Sequence, residues 1–488
     1  MGDSSIVYTL DEALSTLGFG NFQALILLYG ALGWVAEAME LMILSFIGPG
    51  LQSEWDLSSS EESLISTVVF AGMLIGAYLW GHVSDNCGRK KGFLGAAMFN
   101  AAAGFFSAFS PNYACLVTLR FIAGIGLGGG YLFTTWFLEF VPTSNRGSWM
   151  IIFSSFWTIG SISEALLAWI VMPRWGWRWL LVLSAVPYFI VLLFYKLAPE
   201  SPRYLSLKGR LKEAQNVLEQ AAELNQIKLP RGSLVSDQML NTEEDLPPAE
   251  ETHLLSSTKK ETYECKRIST SPSLLSLFSR KFFRTTLLLW FLFFGTTFSY
   301  YGVILLTSEL SSRKKTCGRV SFYLETSQAS NLYVDVFVTS LAELPGLVLS
   351  AFIVDRVGRK VSMVIMFMLG FLLLFPLVGE LERMLTTILL FGARMFVSAA
   401  FTVATIYAPE VYPTDIRTSA VGLTTSIGRI GGMICPLVAV GLVSECHQTA
   451  AVILFLGMIA LSGLSVAFLP FETKGKDLSD SVNEPETK

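Results

Sequence analysis

The sequence is poor in the residues that build metal and disulfide sites. It has six cysteines and three histidines in 488 residues, and neither type recurs at the short spacings of metal ligands. We therefore expect no metal site and no cofactor. A membrane enzyme would also need a nucleophile beside a general base, and the sequence shows no such pair. We expect a protein that is not an enzyme.

Charged residues are also scarce. Asp, Glu, Lys and Arg make up 15% of the chain, whereas soluble proteins average about 25%. The formal net charge is −4, so there is no basic excess to favour nucleic acid as a partner. Residues 1–23 are polar and mildly acidic, without the basic start of a secretory leader, and we expect no cleaved signal peptide.

Long apolar runs are abundant instead, since 52% of the residues are hydrophobic. Twelve runs reach the roughly 20 residues that a helix needs to cross a bilayer. The sequence thus predicts an all-α membrane protein with twelve transmembrane helices in two homologous six-helix bundles. The predicted helices lie at 23–47, 62–82, 92–110, 114–138, 149–172, 178–198, 285–308, 333–354, 361–379, 384–408, 417–441 and 449–470.

Two motifs occur once in each half of the chain. Gly-His-Val-Ser-Asp-Asn-Cys-Gly-Arg-Lys at 81–90 returns as Ala-Phe-Ile-Val-Asp-Arg-Val-Gly-Arg-Lys at 351–360, so that Asp355 is the counterpart of Asp85. Glu-Phe-Val-Pro from Glu139 returns as Glu-Val-Tyr-Pro from Glu410, at almost the same offset. A nearly constant offset over two motifs indicates an internal duplication. A short charged loop between two spans, once per half, is typical of a transporter built from two bundles.

The parts outside the spans divide the chain further. We expect a cytoplasmic N-terminal segment over 1–22, bundles over 23–198 and 284–470, a linker over 199–283 and a tail over 471–488. Thr9 and Glu12 form the pattern of a capping box at the start of a short helix. Apolar residues at helical spacing predict an amphipathic helix over 208–224, whereas 231–273 has the composition of a disordered segment. The short loops on the two sides of the membrane carry nearly equal numbers of Lys and Arg residues. The basic residues of the linker favour a topology with both termini in the cytoplasm.

The repeated loops resemble the signature of the major facilitator superfamily. Arg-Phe-Ile-Ala-Gly at 120–124 and Pro-Glu-Ser-Pro-Arg at 199–203 support this resemblance. Phe-Glu-Thr-Lys-Gly at 471–475 departs from the family's usual form, because Phe471 stands where proline is expected. Gly-Trp-Val-Ala-Glu-Ala-Met-Glu at 33–40 and Trp-Arg-Trp-Leu-Leu at 177–181 resemble one branch. That branch holds plant organic cation/carnitine transporter-like proteins, bacterial niacin transporters and synaptic-vesicle-protein-related animal transporters.

The resemblance implies the twelve-helix fold, cytoplasmic termini and a short set of substrates. These are organic cations and carnitine, or niacin and related pyridines. The residues themselves leave the choice open, because a carnitine-like zwitterion, trigonelline and the nicotinate anion all suit a pocket with carboxylates, aromatic walls and one arginine.

Ionisable residues inside the spans are energetically costly, so each is a hypothesis about function. Glu37 and Glu40 are three residues apart and share one face of the first span, and Glu164 lies past the middle of the fifth. We expect these three to bind substrate or protons. The candidate substrate- or proton-binding residues of both halves are Glu37, Glu40, Trp157, Glu164, Tyr300, Tyr301, Glu343 and Arg429.

A second group of charged residues lies at helix ends or in the outer parts of spans, and we expect it to serve gating. Arg120 either anchors spans or couples protons. Glu343 and Arg429, from the first group, have the alternative of pairing with each other. The gating candidates are Asp85, Arg89, Arg120, Glu139, Arg146, Asp355, Arg359, Arg394, Glu410 and Arg417.

These features predict a proton-coupled transporter. Desolvation favours the protonated form of a carboxyl group, which can take a proton on one side of the membrane and release it on the other while the two halves rock about a central site. A receptor that senses the solute without moving it is the alternative. We expect a monomer in the plasma membrane rather than the vacuolar membrane, with the solute, protons and the lipid bilayer as partners.

The sequence also predicts a disulfide between Cys317 and Cys446. The predicted topology places both in loops on the non-cytoplasmic side, where oxidising conditions permit a bridge. We expect a thiol reagent to label neither residue until the protein is reduced, while Cys87, on the cytoplasmic side, is labelled in both states once the membrane is opened. Labelling of Cys317 and Cys446 in unreduced protein would show two free thiols.

Overall fold

Apolar runs become helices in this protein because a backbone in lipid must satisfy its own hydrogen bonds. The computed structural model describes residues 7–142, 146–230, 232–235, 282–312, 334–379, 381–412, 414–443 and 447–473. The spans of the first half are the helices Asn21–Met42 with Leu44–Trp55 (span 1), Ser59–Cys87 (span 2), Arg89–Ser107 (span 3), Tyr113–Leu127 with Tyr131–Leu138 (span 4), and Arg146–Ser184 with Val186–Leu193 (spans 5 and 6).

The second half repeats this arrangement. Its spans are Phe283–Ser312 (span 7), Val334–Val354 (span 8), Arg359–Leu374 (span 9), Arg383–Val411 (span 10), Thr414–Pro436 with Leu437–Leu442 (span 11), and Gln448–Ala467 (span 12). The last turns of span 11, after Pro436, are wider than those of an α-helix. A short 3-10 turn, Phe375–Val378, follows span 9.

The described helices account for the twelve predicted spans. Ten apolar helical stretches in the described chain are long enough to cross a membrane. One of them, Trp149–Leu193, has 45 residues, about twice the length that a bilayer requires. It divides at Gly176, whose φ of 77° ends one helix and starts the next. Arg89–Ser107 is less apolar, but its 19 residues pack along spans 2 and 4 as span 3. The predicted fold class is therefore confirmed.

Backbone-to-backbone packing brings spans 2 and 4 together. A side chain at Gly76 would collide with the carbonyl oxygen of Ile125, and one at Gly124 would collide with that of Val69. Small residues let transmembrane helices approach this closely, and close packing replaces the hydrophobic driving force that is missing in lipid. The first bundle is thus a rigid unit on which side chains of spans 1 and 4 can be positioned.

The two halves contact each other through spans 2 and 11. We call the end that carries the loops at Gly88 and Gly358 the signature face, and the other end the opposite face. On the half of the seam nearer the opposite face, Thr67 Oγ1 donates to the carbonyl oxygen of Met433 at 3.1 Å, joining spans 2 and 11.

The segments that precede and follow the first bundle in the sequence form a small cluster on the signature face. The helix Leu10–Leu17 begins with the predicted capping box, in which Thr9 and Glu12 bond each other's backbone. It packs against the amphipathic linker helix Leu211–Asn225, which buries Ala214 and Leu218. The linker helix starts at Leu211 rather than Lys208 because Gly209, at φ 73°, interrupts the chain.

One part of the linker differs from the prediction. Ser233–Leu234 forms a short parallel strand pair with Val7–Tyr8, although we expected disorder from Arg231 onward. Strand pairing with an N-terminal segment is not visible in local composition, because the whole first bundle separates the two strands in sequence. Residues 236–281 are outside the described part, and the predicted domain boundaries and disorder stay predictions there. Cys317 and Cys446 also lie outside it, whereas Cys87, Cys115 and Cys435 are free thiols.

Asn225 connects the linker helix to span 1. Its Oδ1 accepts from the backbone N–H of Phe22 at 2.9 Å, and its Nδ2 donates to Gln23 Oε1 at 2.8 Å. We expect Asn225→Ala to lower the free energy of unfolding by about 1–3 kcal/mol, since it leaves half-buried polar groups without their hydrogen-bond partner. Thermal unfolding in detergent measures this. The control is Gln215→Ala, on the exposed side of the same helix, and an equal loss in both variants would contradict the assigned role.

Candidate functional site: charged side chains at the seam between the halves

The acidic residues predicted for the membrane interior are buried. Glu37, Glu40, Glu164 and Glu343 each expose no more than 2% of their surface. A charge at such a place is stable only when a partner of opposite charge, a set of hydrogen bonds or a proton compensates it. Glu40 and Glu343 meet this requirement with a buried arginine of their own half, whereas the surroundings of Glu37 and Glu164 differ.

Glu37 is the carboxylate with the least support from its own half. It points from span 1 at Gly130, in the turn inside span 4, where any side chain would collide with the carboxyl group. Its Oε2 atom has no hydrogen-bond partner among the described residues. The facing charge belongs to the other half, because Arg429 of span 11 interacts electrostatically with both Glu37 and Tyr301. Glu37 and Arg429 are thus opposite charges on opposite walls of the seam.

Glu40 is paired within the first half. Its Oε1 accepts from Arg120 Nη1 at 2.7 Å, and both side chains are 1% exposed. Arg120 also donates from Nε to Ser107 Oγ at 3.1 Å and from Nη2 to the carbonyl oxygen of Gly104 at 3.4 Å. The pair therefore connects spans 1, 3 and 4. A proton on Glu40 would remove the charge that holds Arg120.

Glu164 is held by a single hydroxyl group. Ser184 Oγ of span 6 lies 2.9 and 2.8 Å from the two carboxyl oxygens and 2.8 Å from the carbonyl oxygen of Leu180. A serine hydroxyl has one proton to donate, so it cannot serve three acceptors. The geometry is satisfied when Glu164 carries a proton and donates it to Ser184, which then donates to Leu180.

Glu343 is the acceptor of a hydrogen-bonded chain that crosses the seam. Its Oε1 accepts from Arg394 Nη2 at 2.7 Å, from Arg394 Nε at 3.0 Å and from the Tyr300 hydroxyl at 2.8 Å. The indole N–H of Trp157, on span 5 of the first half, donates to the Tyr300 oxygen at 3.0 Å. The predicted alternative that Glu343 pairs with Arg429 is wrong, because Arg394 occupies that place.

Aromatic rings from both halves surround these groups. The rings of Trp34 and Trp157 lie 5.1 Å apart on the first half, and those of Tyr300 and Tyr301 lie 5.1 Å apart on the second. Phe70 of span 2 contacts Tyr301 across the seam at 4.8 Å. Faces of such rings bind cations. The predicted residues Trp157, Tyr300 and Tyr301 thus come together at the seam, and Trp34 joins them.

The signature face carries two matching charge clusters, one per half. Arg89 Nε lies 3.1 Å from Glu139 Oε1, and Arg359 Nε lies 3.3 Å from Glu410 Oε2. Burial raises the pKa of the Glu139 carboxyl, and the Arg89 charge opposes this shift. The four predicted residues are therefore paired in the same way in both halves. The side chains of Asp85, Arg146, Asp355 and Arg417 lie outside the described part, and their gating roles stay predictions.

A further carboxylate completes each cluster. Glu200 Oε1 accepts from the backbone N–H of Lys90 at 3.2 Å. Glu472 accepts from the N–H groups of Arg359 and Lys360 at 2.8 and 3.0 Å. Both carboxylates lie against the glycine that starts the following helix, and Gly88 and Gly358 have φ of 112° and 100°. A side chain at either glycine would be strained and would meet the carboxylate.

Comparison with known proteins agrees with this architecture. Residues 32–483 match the family model described as sugar (and other) transporter. The chain is 52% identical to organic cation/carnitine transporter 7 of Arabidopsis thaliana, over 99% of this chain and 98% of that protein. It is 38% identical to a synaptic vesicle 2-related protein of Bos taurus, over 97% of this chain and 83% of that protein.

The chain belongs to this transporter family, within the major facilitator superfamily. Its fold is similar to a partially occluded inward-open structure of the xylose transporter XylE from E. coli, with a TM-score of 0.69 over 92% of this chain and 100% of that one at 16% identity. The family consists of membrane transporters, so the expectation that the chain is a transporter and not an enzyme is confirmed.

Sequence reasoning missed several members of this transporter's charged network. Glu200 and Glu472 were part of the quoted motifs, and their offset nearly equals that of the other repeated residues, so the duplication itself was a signal. No feature of the sequence pointed to Ser184, because a serine in an apolar run is common. Trp34 lies three residues before Glu37 and therefore on its helical face, which was an available signal.

The buried pair of Glu343 and Arg394 gives a test of its structural weight. Glu343→Gln leaves Arg394 charged and buried, and we expect it to lower the free energy of unfolding by about 3–5 kcal/mol. Glu54→Gln is the control, because Glu54 pairs with Arg178 where both side chains are more than a third exposed, and its loss should cost about 1 kcal/mol or less. Thermal unfolding in detergent compares the two. Equal losses would show that the buried pair has no special weight.

Proposed function

We propose that this protein is a proton-coupled transporter of small zwitterions that carry a cationic nitrogen and a carboxylate, such as carnitine or trigonelline. The observation that carries the proposal is the placement of Glu37 and Arg429 on opposite walls of the seam. A solute with both charges compensates both walls. A cation alone would leave Arg429 without a counter-charge from the solute, and an anion such as nicotinate would face Glu37.

The surroundings of Glu37 support the position of the cationic group. The Oε2 atom of Glu37 is buried against Gly130 and has no hydrogen-bond partner in the described structure, so a cationic group of the solute would supply the compensation that it lacks. The indoles of Trp34 and Trp157 lie 5.1 Å apart, and Trp34 is one helical turn before Glu37 on span 1. A quaternary ammonium group is bound by the faces of such rings without hydrogen bonds. Arg429 would then bind the carboxylate of the solute, to which its guanidinium group donates a charge-assisted hydrogen bond. The printed name of the Arabidopsis relative, organic cation/carnitine transporter 7, fits this assignment.

The proton would be carried by Glu40 and Glu164. Protonation of Glu40 breaks its pair with Arg120, which connects three spans of the first half. Ser184 Oγ lies within hydrogen-bond distance of Glu164 and of the Leu180 carbonyl oxygen, and a protonated Glu164 would let one hydroxyl group satisfy both contacts. Both lie in the half that also presents Glu37, so a change of protonation there alters the field at the solute's cationic end. Movement of protons and solute would be linked through that field.

Rocking of the halves would expose the site to each side in turn. We assign the signature face to the cytoplasm. Both ends of the described chain, the helix Leu10–Leu17 and Glu472, pack on it, which agrees with cytoplasmic termini. The paired clusters of Arg89 with Glu139 and Arg359 with Glu410 would act as the gate on that side, joined by Asp85 and Asp355.

Uptake into proteoliposomes tests the solute. We expect accumulation of carnitine or trigonelline driven by a pH gradient, with less uptake of nicotinate. Glu37→Gln and Arg429→Gln should each lower apparent affinity by about thirtyfold or more, because each leaves one charge of a bound zwitterion without its partner. The control is Glu219→Gln on the exposed face of the linker helix. Normal affinity for all three solutes in both seam variants would contradict the site.

Separate variants test the proton route. Glu40→Gln and Glu164→Gln remove a titratable group but keep a side chain of the same shape. We expect both to lose accumulation in a pH gradient while they retain exchange of labelled for unlabelled solute at equal pH. Normal concentrative uptake in both variants would exclude these two carboxyl groups as the coupling sites.

A further inference from the structure

Span 4 changes its winding between its two helices, Tyr113–Leu127 and Tyr131–Leu138. In this turn the N–H groups of Gly129 and Gly130 bond the carbonyl oxygens three residues earlier, at 3.0 and 3.1 Å. An α-helix bonds four residues back, so the tighter pattern is that of a 3-10 turn, which is often found at functional positions inside a helix. Backbone groups that lose a helical partner inside a membrane must be satisfied by neighbouring elements.

Trp80 of span 2 satisfies one such group. Its indole N–H donates to the carbonyl oxygen of Ile125 at 2.9 Å. In an α-helix that oxygen would accept from the N–H of Gly129, which bonds Gly126 instead. The indole therefore takes the place of a missing helical hydrogen bond.

Asn100 of span 3 holds the turn from a second direction, and it is 2% exposed. Its Nδ2 donates to the carbonyl oxygen of Ala123 at 3.0 Å, and its Oδ1 accepts from the N–H of Leu127 at 3.2 Å. These neighbours fix the orientation of the amide, because a carbonyl oxygen can only accept and a backbone N–H can only donate. The hydroxyl of Tyr188, on span 6, donates to the same Oδ1 at 2.9 Å. The amide thus fastens the end of the helix Tyr113–Leu127 to spans 3 and 6.

The backbone of this turn lies directly against Glu37. A side chain at Gly130 would collide with the Glu37 carboxyl group, and one at Gly129 would collide with Ala96 and Trp80. The turn is therefore packed between its supports and the carboxyl group, with no room for a side chain at either glycine. The place that the Glu37 carboxyl can occupy depends on where the turn puts Gly130.

The second half lacks both the supports and the turn. At the offset between the two signature loops, Gly370 corresponds to Asn100 and Ser350 corresponds to Trp80. Span 10, the counterpart of span 4, is one continuous helix over Arg383–Val411. The two side chains and the turn thus occur together in one half and are missing together from the described spans of the other. This correlation is expected if the side chains hold the turn.

We propose that Asn100, assisted by Trp80, is a positioning residue for Glu37. It holds the turn of span 4, and the turn places the Glu37 carboxyl group for the cationic group of the solute. The inference rests on the proposed function, in which Glu37 receives that group. Asn100 acts through the backbone of span 4 and is not a contact of the solute.

A purely structural role for Asn100 leads to different results. Loss of its hydrogen bonds would then weaken the first bundle as a whole, and transport would fall in the same proportion whether or not Glu37 is present. A positioning role predicts a loss of affinity that depends on Glu37. It also predicts a local change in span 4 that needs no solute.

Hydrogen–deuterium exchange of the full chain in lipid nanodiscs measures the local change. Asn100→Leu keeps a similar shape and removes both polar atoms. We expect amides of residues 124–133 to exchange about tenfold faster, the effect of losing one buried hydrogen bond, with little change in the second half. The matched control is Thr118→Ala, because the Thr118 hydroxyl bonds the backbone of its own helix on the exposed side of span 4. Unchanged exchange of residues 124–133 in Asn100→Leu would overturn the inference.

Uptake into proteoliposomes measures the dependence on Glu37. Asn100→Leu should lower the apparent affinity for carnitine or trigonelline by about tenfold, with a much smaller effect on the maximal rate. In the Glu37→Gln background it should change the affinity by less than about twofold, because no carboxylate remains to be positioned. Equal losses of affinity in the two backgrounds would also overturn the inference.

Tyr188→Phe is a milder variant in case Asn100→Leu folds poorly. It removes one hydroxyl group and leaves the contacts of the amide with span 4. We expect a loss of affinity of about threefold, which likewise disappears in the Glu37→Gln background. A loss that persists there would count against positioning.

Failure of this inference is distinguishable from failure of the proposed function, because exchange is measured without solute. Zwitterion uptake together with unchanged exchange in Asn100→Leu would remove Asn100 and leave the proposed function. Faster exchange in span 4 of a protein that moves none of the three solutes would do the reverse.

Discussion

Every ionisable side chain inside the bundle must be compensated locally, and the structure depends on how each one is. Two pairs are closed within a half, Glu40 with Arg120 and Glu343 with Arg394. Both partners of each pair belong to one half. Glu37 and Arg429, in contrast, belong to different halves and influence each other electrostatically.

The duplication was kept at the signature face and altered in the middle of the membrane. At the face, Gly88, Arg89 and Glu139 have counterparts in Gly358, Arg359 and Glu410, with the same contacts. Both halves need the same tight turn and the same charge pairing there. In the interior, Arg120 and Arg394 lie on equivalent spans, yet their acids come from span 1 and span 8. A symmetric scaffold thus carries an asymmetric set of charges.

The seam combines two kinds of contact. Hydrogen bonds such as that between Trp157 and Tyr300 are directional, and a small displacement breaks them. Ring contacts such as that of Phe70 with Tyr301 are less sensitive to sliding. Both kinds of contact join the first half to the second at the seam.

The sequence by itself determined the number of spans, the duplication, the capping box at Thr9 and four of the buried acidic residues, Glu37, Glu40, Glu164 and Glu343. Each of these depends on short-range pattern, since span length follows from bilayer thickness and caps follow from local hydrogen bonding. Only the tertiary structure decided the partners. Glu343 meets Arg394 rather than Arg429, Glu164 meets Ser184, and Ser233–Leu234 pairs with Val7–Tyr8. Partner choice depends on the rotation and approach of helices far apart in the chain, and spacing along one helix does not contain that information.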